Sequence, residues 1–155
     1  MRYAIMDTPV GSLTVVSTSK GLAAVRFGAF PPTDGVADED ANRPYTRQLA
    51  EYFDGRRERF DLPLDLNGTP FQLSVWGELC AIPYGETRSY GEIARKLGKP
   101  RAARAVGMAN HDNPIAVVVP CHRVIGANGT LTGYAGGLDR KKKLLSIEQR
   151  PPLFT

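Results

Sequence analysis

The dipeptide Cys121-His122 is where residue types alone point to covalent chemistry in this chain. A thiol is a weak nucleophile until it loses its proton, and a nearby imidazole is the commonest means of taking it. Adjacent residues seldom aim their side chains at each other, so His122 is expected to reach Cys121 through a water molecule or a sharp local turn. By itself the dipeptide is a weak signal, since most cysteines that follow apolar strands are inert core residues. Glu148 adds a third group: it stands four residues after Leu144 and three after Leu145, on the inward side of an amphipathic helix and away from the outer face assigned to Arg140 to Lys143. A carboxylate placed there needs a partner. With His122 it forms a Cys-water-His-Glu relay in which Glu148 fixes the tautomer and stabilises the imidazolium. In the competing reading Glu148 pairs with a lysine or arginine at the surface.

The remaining cysteine and histidine, Cys80 and His111, give no CxxC and no metal-ligand spacing. Neither a disulfide framework nor a metal site is expected. Cys80, at the end of an apolar helix, reads as a buried, inert thiol.

The elements that must position these groups fall into two parts. In the N-terminal third, Tyr3–Met6, Leu13–Ser17 and Leu22–Phe27 read as short antiparallel strands joined by turns at Pro9-Val10-Gly11 and Lys20-Gly21. Residues 28–42 mix Pro, Gly and acids without periodicity and read as a loop. Asn42 is expected to cap a helix with Pro44 in its first turn and Tyr45, Leu49, Tyr52 and Phe53 on one face, ended by Gly55. Phe60, Leu62, Leu64 and Leu66 alternate as an extended segment, and Asn67-Gly68-Thr69 marks a domain joint. The expected domains are therefore 1–69 and 70–155.

Beyond the joint, Thr69 and Pro70 start a helix with Phe71, Val75, Trp76 and Leu79 on one face. Ser89-Tyr90-Gly91-Glu92 has capping-box spacing and opens a helix that ends near Gly98. A second helix is expected from Pro100 to about Asn110. Two short helices, a glycine-containing turn and flanking basic residues outline a helix-turn-helix. Residues Arg101 to Asn110 are mostly small, which either lets the backbone approach a narrow groove or merely packs alanines on the core. Pro114 and Pro120 bracket a β-branched run, Ile115–Val119, expected as a buried extended segment. Gly126–Gly129 is a turn, Gly133–Gly137 a loop, and Leu138 to about Gln149 a final helix.

The charge is divided along the same boundary. Residues 1–69 hold 8 Lys+Arg against 10 Asp+Glu, and residues 70–155 hold 12 against 6. Arg88, Arg95, Lys96, Lys99, Arg101 and Arg104 are opposed only by Glu92 within their stretch. Such a patch suits a polyanion, although by itself it also describes an ordinary solvated face. The opening Met1-Arg2-Tyr3-Ala4-Ile5-Met6-Asp7 lacks a signal peptide's apolar stretch and no later run approaches a membrane span, so a soluble cytoplasmic protein without membrane contact is expected.

Pro120-Cys121-His122-Arg123-Val124 resembles the active-site motif of the O⁶-alkylguanine-DNA alkyltransferases. The segments Pro83 to Tyr90, Arg101 to Gly107, Asn113-Pro114 and Thr132 to Gly137, with Glu148, also resemble that family in order and spacing, across residues 70 to about 149. The N-terminal 69 residues resemble the family's ribonuclease-H-like domain more loosely. The resemblance implies an α+β protein: a small N-terminal ribonuclease-H-like domain, then a mainly helical domain with a helix-turn-helix. It also implies stoichiometric, cofactor-free transfer of an alkyl group from O⁶-alkylguanine, with O⁴-alkylthymine as a further candidate, after the nucleotide is flipped out of duplex DNA. No obligate protein partner is implied: the expected state is a monomer able to cluster on DNA and associated with the nucleoid when bound.

The roles it implies are these. Cys121 is the alkyl acceptor, His122 the water-mediated base, Glu148 the carboxylate behind it, and Asn113 a hinge between the helix-turn-helix and the active-site loop. Tyr90 donates a hydrogen bond to the guanine ring, Tyr134 walls the alkyl pocket, and the backbone of Cys121 and Val124 recognises the guanine amino group. Arg104 fills the space left by the flipped nucleotide, within a DNA-binding set of Lys99, Ala103, Arg104, Ala105 and Gly107. Ala135 stands where some members have serine, leaving only its backbone amide for the guanine oxygen, and Ala116 replaces a proline found in some members. Two rival readings remain, a Cys-His hydrolase and a noncatalytic DNA-binding regulator. The first leaves the helix-turn-helix unexplained and the second leaves the Cys-His-Glu set unexplained.

Overall fold

The computed structural model describes residues 1–129, 131 and 133–149 of an α+β protein. It divides into two compact units, one formed by Met1–Gly68 with Pro114–Val119, the other by Thr69–Asn113 with Pro120–Thr155. Thr132, part of one resembling segment, lies outside the described residues.

In the first unit, β1 (Arg2–Thr8), β2 (Gly11–Thr18) and β3 (Gly21–Phe27) form an antiparallel meander. A short β4 (Val36–Ala37) pairs parallel to Arg2 and Tyr3, giving the order β3-β2-β1-β4. β4 lies within the stretch expected to be wholly loop; two residues of strand are too short to leave a period in sequence. β2 runs through the middle, and Leu13 through Ser17 are all buried. α1 (Glu39–Phe53) packs on β1 and β2, burying Tyr45, Leu49, Tyr52 and Phe53. Its cap is Asp38, whose carboxylate accepts from the Ala41 amide; Asn42, expected as the cap, lies inside the helix and donates to the Asp38 carbonyl. Both residues can cap, and the earlier one adds a turn to the helix with Glu39 and Asp40 at its positive end.

The outer edge of β3 is covered by two short segments. Leu22 donates to the Pro63 carbonyl and accepts from Asp65, so the alternating stretch at 60–66 contributes one bridge at Leu64 in place of a strand. Gly21 permits this approach, because a β-carbon there would lie 2.4 Å from the Pro63 oxygen. Further along, Val25 bonds with Pro114 and Ala116. Ile115–Val119 is buried apart from the half-buried Val118, but turned, with Val117 at a φ of 71° and Val118 donating to the Ala116 carbonyl. The β-branched composition announced burial and extension; only the burial is found, since the flanking prolines and the turn at Val117 leave one bridge, Val25 to Ile115.

In the second unit, α2 (Pro70–Cys80), α3 (Tyr90–Lys96) and α4 (Ala103–His111) pack on one another around Val75, Trp76, Leu79, Ile93, Ala94, Val106 and Ala109. The Trp76 indole N–H donates to the Ala109 carbonyl at 2.8 Å, which satisfies the one polar atom of the largest buried side chain. Both α2 and α3 begin with complete capping boxes, Thr69 with Gln72 and Ser89 with Glu92. α3 ends at Gly98, whose φ of 73° lets the Lys99 amide reach back to Ala94. Pro100 does not start α4; a turn from Lys99 to Ala102 intervenes and the helix opens at Ala103. Cys121–Arg123 forms one tight helical turn, β5 (Arg88–Ser89) pairs parallel with β6 (Val124–Ile125), and α5 (Leu138–Glu148) closes the unit. Among the described residues, no helix is long and apolar enough to cross a membrane.

Ser89 sits where β5, α3 and the capping box meet, so its hydroxyl is the natural point to test the helix pair. Ser89→Ala is expected to cost about 1 kcal/mol, read as a lower denaturant midpoint with an unchanged slope. An unchanged midpoint would show that the box is ornamental.

Candidate active site

The tight turn at Cys121–Arg123 puts three consecutive side chains to separate uses, and all three are buried. His122 Nε2 lies 2.6 Å from Glu148 Oε2, with both side chains fully shielded from solvent. Arg123 grips the same carboxylate in two places, Nε to Oε1 at 2.8 Å and Nη2 to Oε2 at 3.1 Å, while its Nη1 donates to the Ile82 carbonyl at 2.7 Å. The guanidinium also lies over the Tyr84 ring. The Gly85 amide makes a longer contact of 3.4 Å to Oε1. Glu148 is therefore neither at the surface nor paired with one partner: it serves His122 and Arg123 together.

This arrangement determines the imidazole's state. A carboxylate held by a bidentate arginine is ionised and can only accept hydrogen bonds, so His122 Nε2 must carry the proton. The basic nitrogen is then Nδ1, which has no hydrogen-bond partner among the described residues. Burial pushes the His122 pKa below its ordinary 6.5; Glu148 pulls it up, and the positive charges of Arg123 and Lys141 add to the downward shift. Because the arginine already neutralises Glu148, the downward direction holds, and His122 is a neutral base at pH 7.

Cys121 is almost fully buried, and that burial raises its thiol pKa. Opposing it are the polar side chains of Asn113 and Tyr134 and the charge of Lys141, each favouring the thiolate. A second asparagine, Asn110 near the end of α4, donates to the Cys121 carbonyl at 3.3 Å. Asn113, the expected hinge, thus addresses the sulfur while Asn110 holds the backbone. Nothing in the residue pattern marks Asn110 beyond its place at the inward end of a helix.

Tyr90 begins α3 and packs against α4, where a β-carbon added at Gly107 would meet its ring at 3.8 Å. Tyr90, Ala103, Arg104, Gly107, Met108, His111 and Gly133 line one open, largely apolar depression. On α4, Arg104, Ala105 and Met108 are exposed and Ala103 and Gly107 half-buried, so the small residues do face outward. Lys99 is exposed in the preceding turn, with its ammonium 5.3 Å from the centre of the Phe71 ring. Val124 is buried, Tyr134 is buried and Ala135 is exposed.

Two expectations are overturned. Cys80 is exposed: at the last position of α2 the core side is taken by Leu79, with Ile82 following in the next turn. Its thiol is nonetheless raised by partial desolvation, with Arg123 acting against the rise. Lys141, expected on the outer face of α5 with its basic neighbours, is fully buried and donates to the Val124 carbonyl at 2.5 Å. Four consecutive cations cannot all lie on one face of a helix, and position 141 shares the inner stripe with Leu144 and Glu148.

Comparison with known proteins follows the same division. Residues 70–150 match the family model described as 6-O-methylguanine DNA methyltransferase, DNA binding domain, and residues 1–66 match its ribonuclease-like domain. A methylated-DNA–protein-cysteine methyltransferase of Methanosarcina acetivorans is 52% identical over 153 residues, covering 96% of this chain and 98% of the relative. The inducible enzyme of Bacillus subtilis is 50% identical over 151 residues, 96% of this chain and 84% of the relative. A crystal structure of Mycobacterium tuberculosis OGT in complex with DNA superposes with a TM-score of 0.91 at 51% identity, covering 96% of this chain and 93% of that one.

Removing Arg123 strands the Glu148 charge. Arg123→Met is expected to destabilise the protein by about 3–5 kcal/mol, the usual cost of leaving one member of a buried pair uncompensated. Chemical denaturation measures this, and a loss below about 1 kcal/mol, as for an exposed pair, would contradict the pairing.

Proposed function

This chain belongs to the 6-O-methylguanine DNA methyltransferase family, and on that premise we propose that it repairs DNA by direct reversal, taking the alkyl group of O⁶-alkylguanine onto Cys121. The observation that carries this reading is the contact of His122 Nε2 with the Arg123–Glu148 pair, which leaves Nδ1 to accept a proton. The thiol proton passes through a water molecule to Nδ1 as Sγ attacks the alkyl carbon. The carbon–oxygen bond breaks, its electron pair leaves with the guanine, and a thioether remains on Cys121. Thioethers do not hydrolyse, so each molecule acts once. No redox step or activated donor is needed, because the lesion itself supplies the electrophile.

The other residues are assigned around that step. Tyr90 gives a hydrogen bond to the guanine ring as negative charge develops, and Asn113 and Tyr134 steady the sulfur. The backbone at Cys121, Val124 and Ala135 reads the edge of the base. DNA handling and transfer belong to residues 70–155, and duplex DNA is the partner. An alkylated oxygen inside a base stack is out of reach, so the nucleotide must be flipped at a cost of a few kcal/mol. Arg104, exposed on α4, enters the vacated space, while Ala103, Ala105 and Gly107 keep the backbone close to the minor groove and Lys99 contacts phosphate. The same displacement extends to O⁴-alkylthymine, whose alkyl group also sits on an exocyclic oxygen. Such a protein works in the cytoplasm, on chromosomal DNA.

Incubation with a duplex carrying O⁶-methylguanine, followed by peptide mapping, is expected to find one methyl group per protein, on Cys121. A methyl group on Cys80, or repeated turnover by one molecule, would sink the assignment.

Arg104→Ala separates flipping from chemistry. It is expected to slow repair of duplex lesions at least about tenfold, a loss of roughly 1.4 kcal/mol at the transition state, while reaction with free O⁶-benzylguanine is nearly unchanged. Equal slowing of both would make Arg104 a structural residue of α4.

A further inference from the structure

α4 turns Val106, Ala109 and Asn110 to the core, and its other side carries Arg104, Met108 and His111 at i, i+4 and i+7, all exposed. Met108 is 64% exposed. It lies in the open, largely apolar depression shared with Tyr90 and Arg104, beside the half-buried Ala103 and Gly107. A lone methionine on an ordinary surface needs no explanation. This one stands on the face proposed to lie against the minor groove, among small residues that let the backbone come close. Methionine has neither charge nor hydrogen-bond donor, so it has nothing to offer a phosphate. Held between the helix and the groove, it would keep the backbone away and cancel what Ala103 and Gly107 allow. The apolar surface that DNA can give it is the face of a base, which opens where a nucleotide leaves the stack. We propose that Met108 is an apolar wedge that enters the base step beside the extruded nucleotide, one turn of α4 from Arg104. The proposal rests on the reading of α4 as the helix that supports nucleotide flipping.

Unstacking a step costs a few kcal/mol, which a wedge must recover from its own burial. Beside an extruded nucleotide one stacking contact is already lost, so insertion there costs less than in an intact duplex. Residues four apart on a helix are neighbours, about 6 Å from each other along the axis. Arg104 and Met108 therefore serve adjacent places, the guanidinium in the vacated space and the thioether against the face of the next base. An unbranched side chain with a polarizable sulfur adapts to such a face. The exposed cations Lys99 and Arg101, just before α4, supply attraction to phosphate, which weakens as salt rises. Met108 adds a contribution of another kind, confined to the opened step and indifferent to salt.

The test measures binding of the full chain, by fluorescence anisotropy at several salt concentrations, to two duplexes of one sequence. One is intact; the other has a tetrahydrofuran abasic-site analogue in place of one nucleotide, which leaves a gap without any base to flip. Met108→Ala is expected to weaken binding to the abasic duplex about tenfold, the scale of one apolar side chain kept from water, and binding to the intact duplex less than about twofold. The slope of log affinity against log salt is expected to remain that of the parent, whereas Lys99→Ala reduces it by about one. Met108→Gln, similar in length but polar, is expected to bind like Met108→Ala, and Met108→Leu like the parent. Parent-like affinity of Met108→Ala for the abasic duplex, equal losses on both duplexes, or a loss accompanied by a changed slope would overturn the wedge. None of these readouts needs alkyl transfer, so a failure of the repair reading shows separately, as an absent adduct on Cys121 with the binding differences intact.

Discussion

The site is organised by one constraint: a carboxylate buried without solvent contact must be neutralised from within. Arg123 meets that requirement with two hydrogen bonds to Glu148, and the consequences propagate. The carboxylate stays ionised, so the proton of His122 is fixed on Nε2 and the basic nitrogen faces elsewhere. The guanidinium's third contact, to Ile82, joins the turn after α2 to the Cys121 turn. At the same end of α5, Tyr84 donates to Ile147 and Gln149 to Gly85. One ion pair therefore sets the protonation state of the base and ties three separate stretches of chain around it. Such a pair is poor evidence for net stability, since charges brought out of water cost as much as they return; its yield here is a defined geometry.

A second frame holds Cys121. Asn110 near the end of α4 bonds the Cys121 carbonyl, Asn113 the sulfur, and Lys141 the carbonyl of Val124. The helix proposed to lie against DNA is thus linked by its last turn to Cys121. Its exposed face carries Arg104, Ala105 and Met108 with the half-buried Ala103 and Gly107 beside them, so small residues and a long cationic side chain coexist on two turns of helix.

Much of this was legible because it is local. Capping boxes are four-residue patterns, and both Thr69-Gln72 and Ser89-Glu92 form as spacing requires. Strand alternation, the glycine at the end of α3 and the inward phase of Glu148 are likewise short-range. What stayed hidden depends on distant partners. Arg123 is separated from Glu148 by 25 residues, and nothing in its neighbourhood says that the arginine beside His122 turns inward. A basic run such as 140–143 reads as outward, yet the helical phase that buries Glu148 buries Lys141 too. Asp38 displaced Asn42 as a cap through competition between two equally suitable residues, and Val117 turned a β-branched run whose composition favoured a strand.

The proposed relay turns on the state of one imidazole. Nitrogen-15 NMR of His122 at neutral pH reads it directly. The expected result is a neutral ring protonated at Nε2 with Nδ1 bare, a state that shifts toward the imidazolium on protonation only below about pH 6.5. A ring protonated at Nδ1, or an imidazolium already present at pH 7, would contradict the relay, because no nitrogen would then be available to take the proton from Cys121.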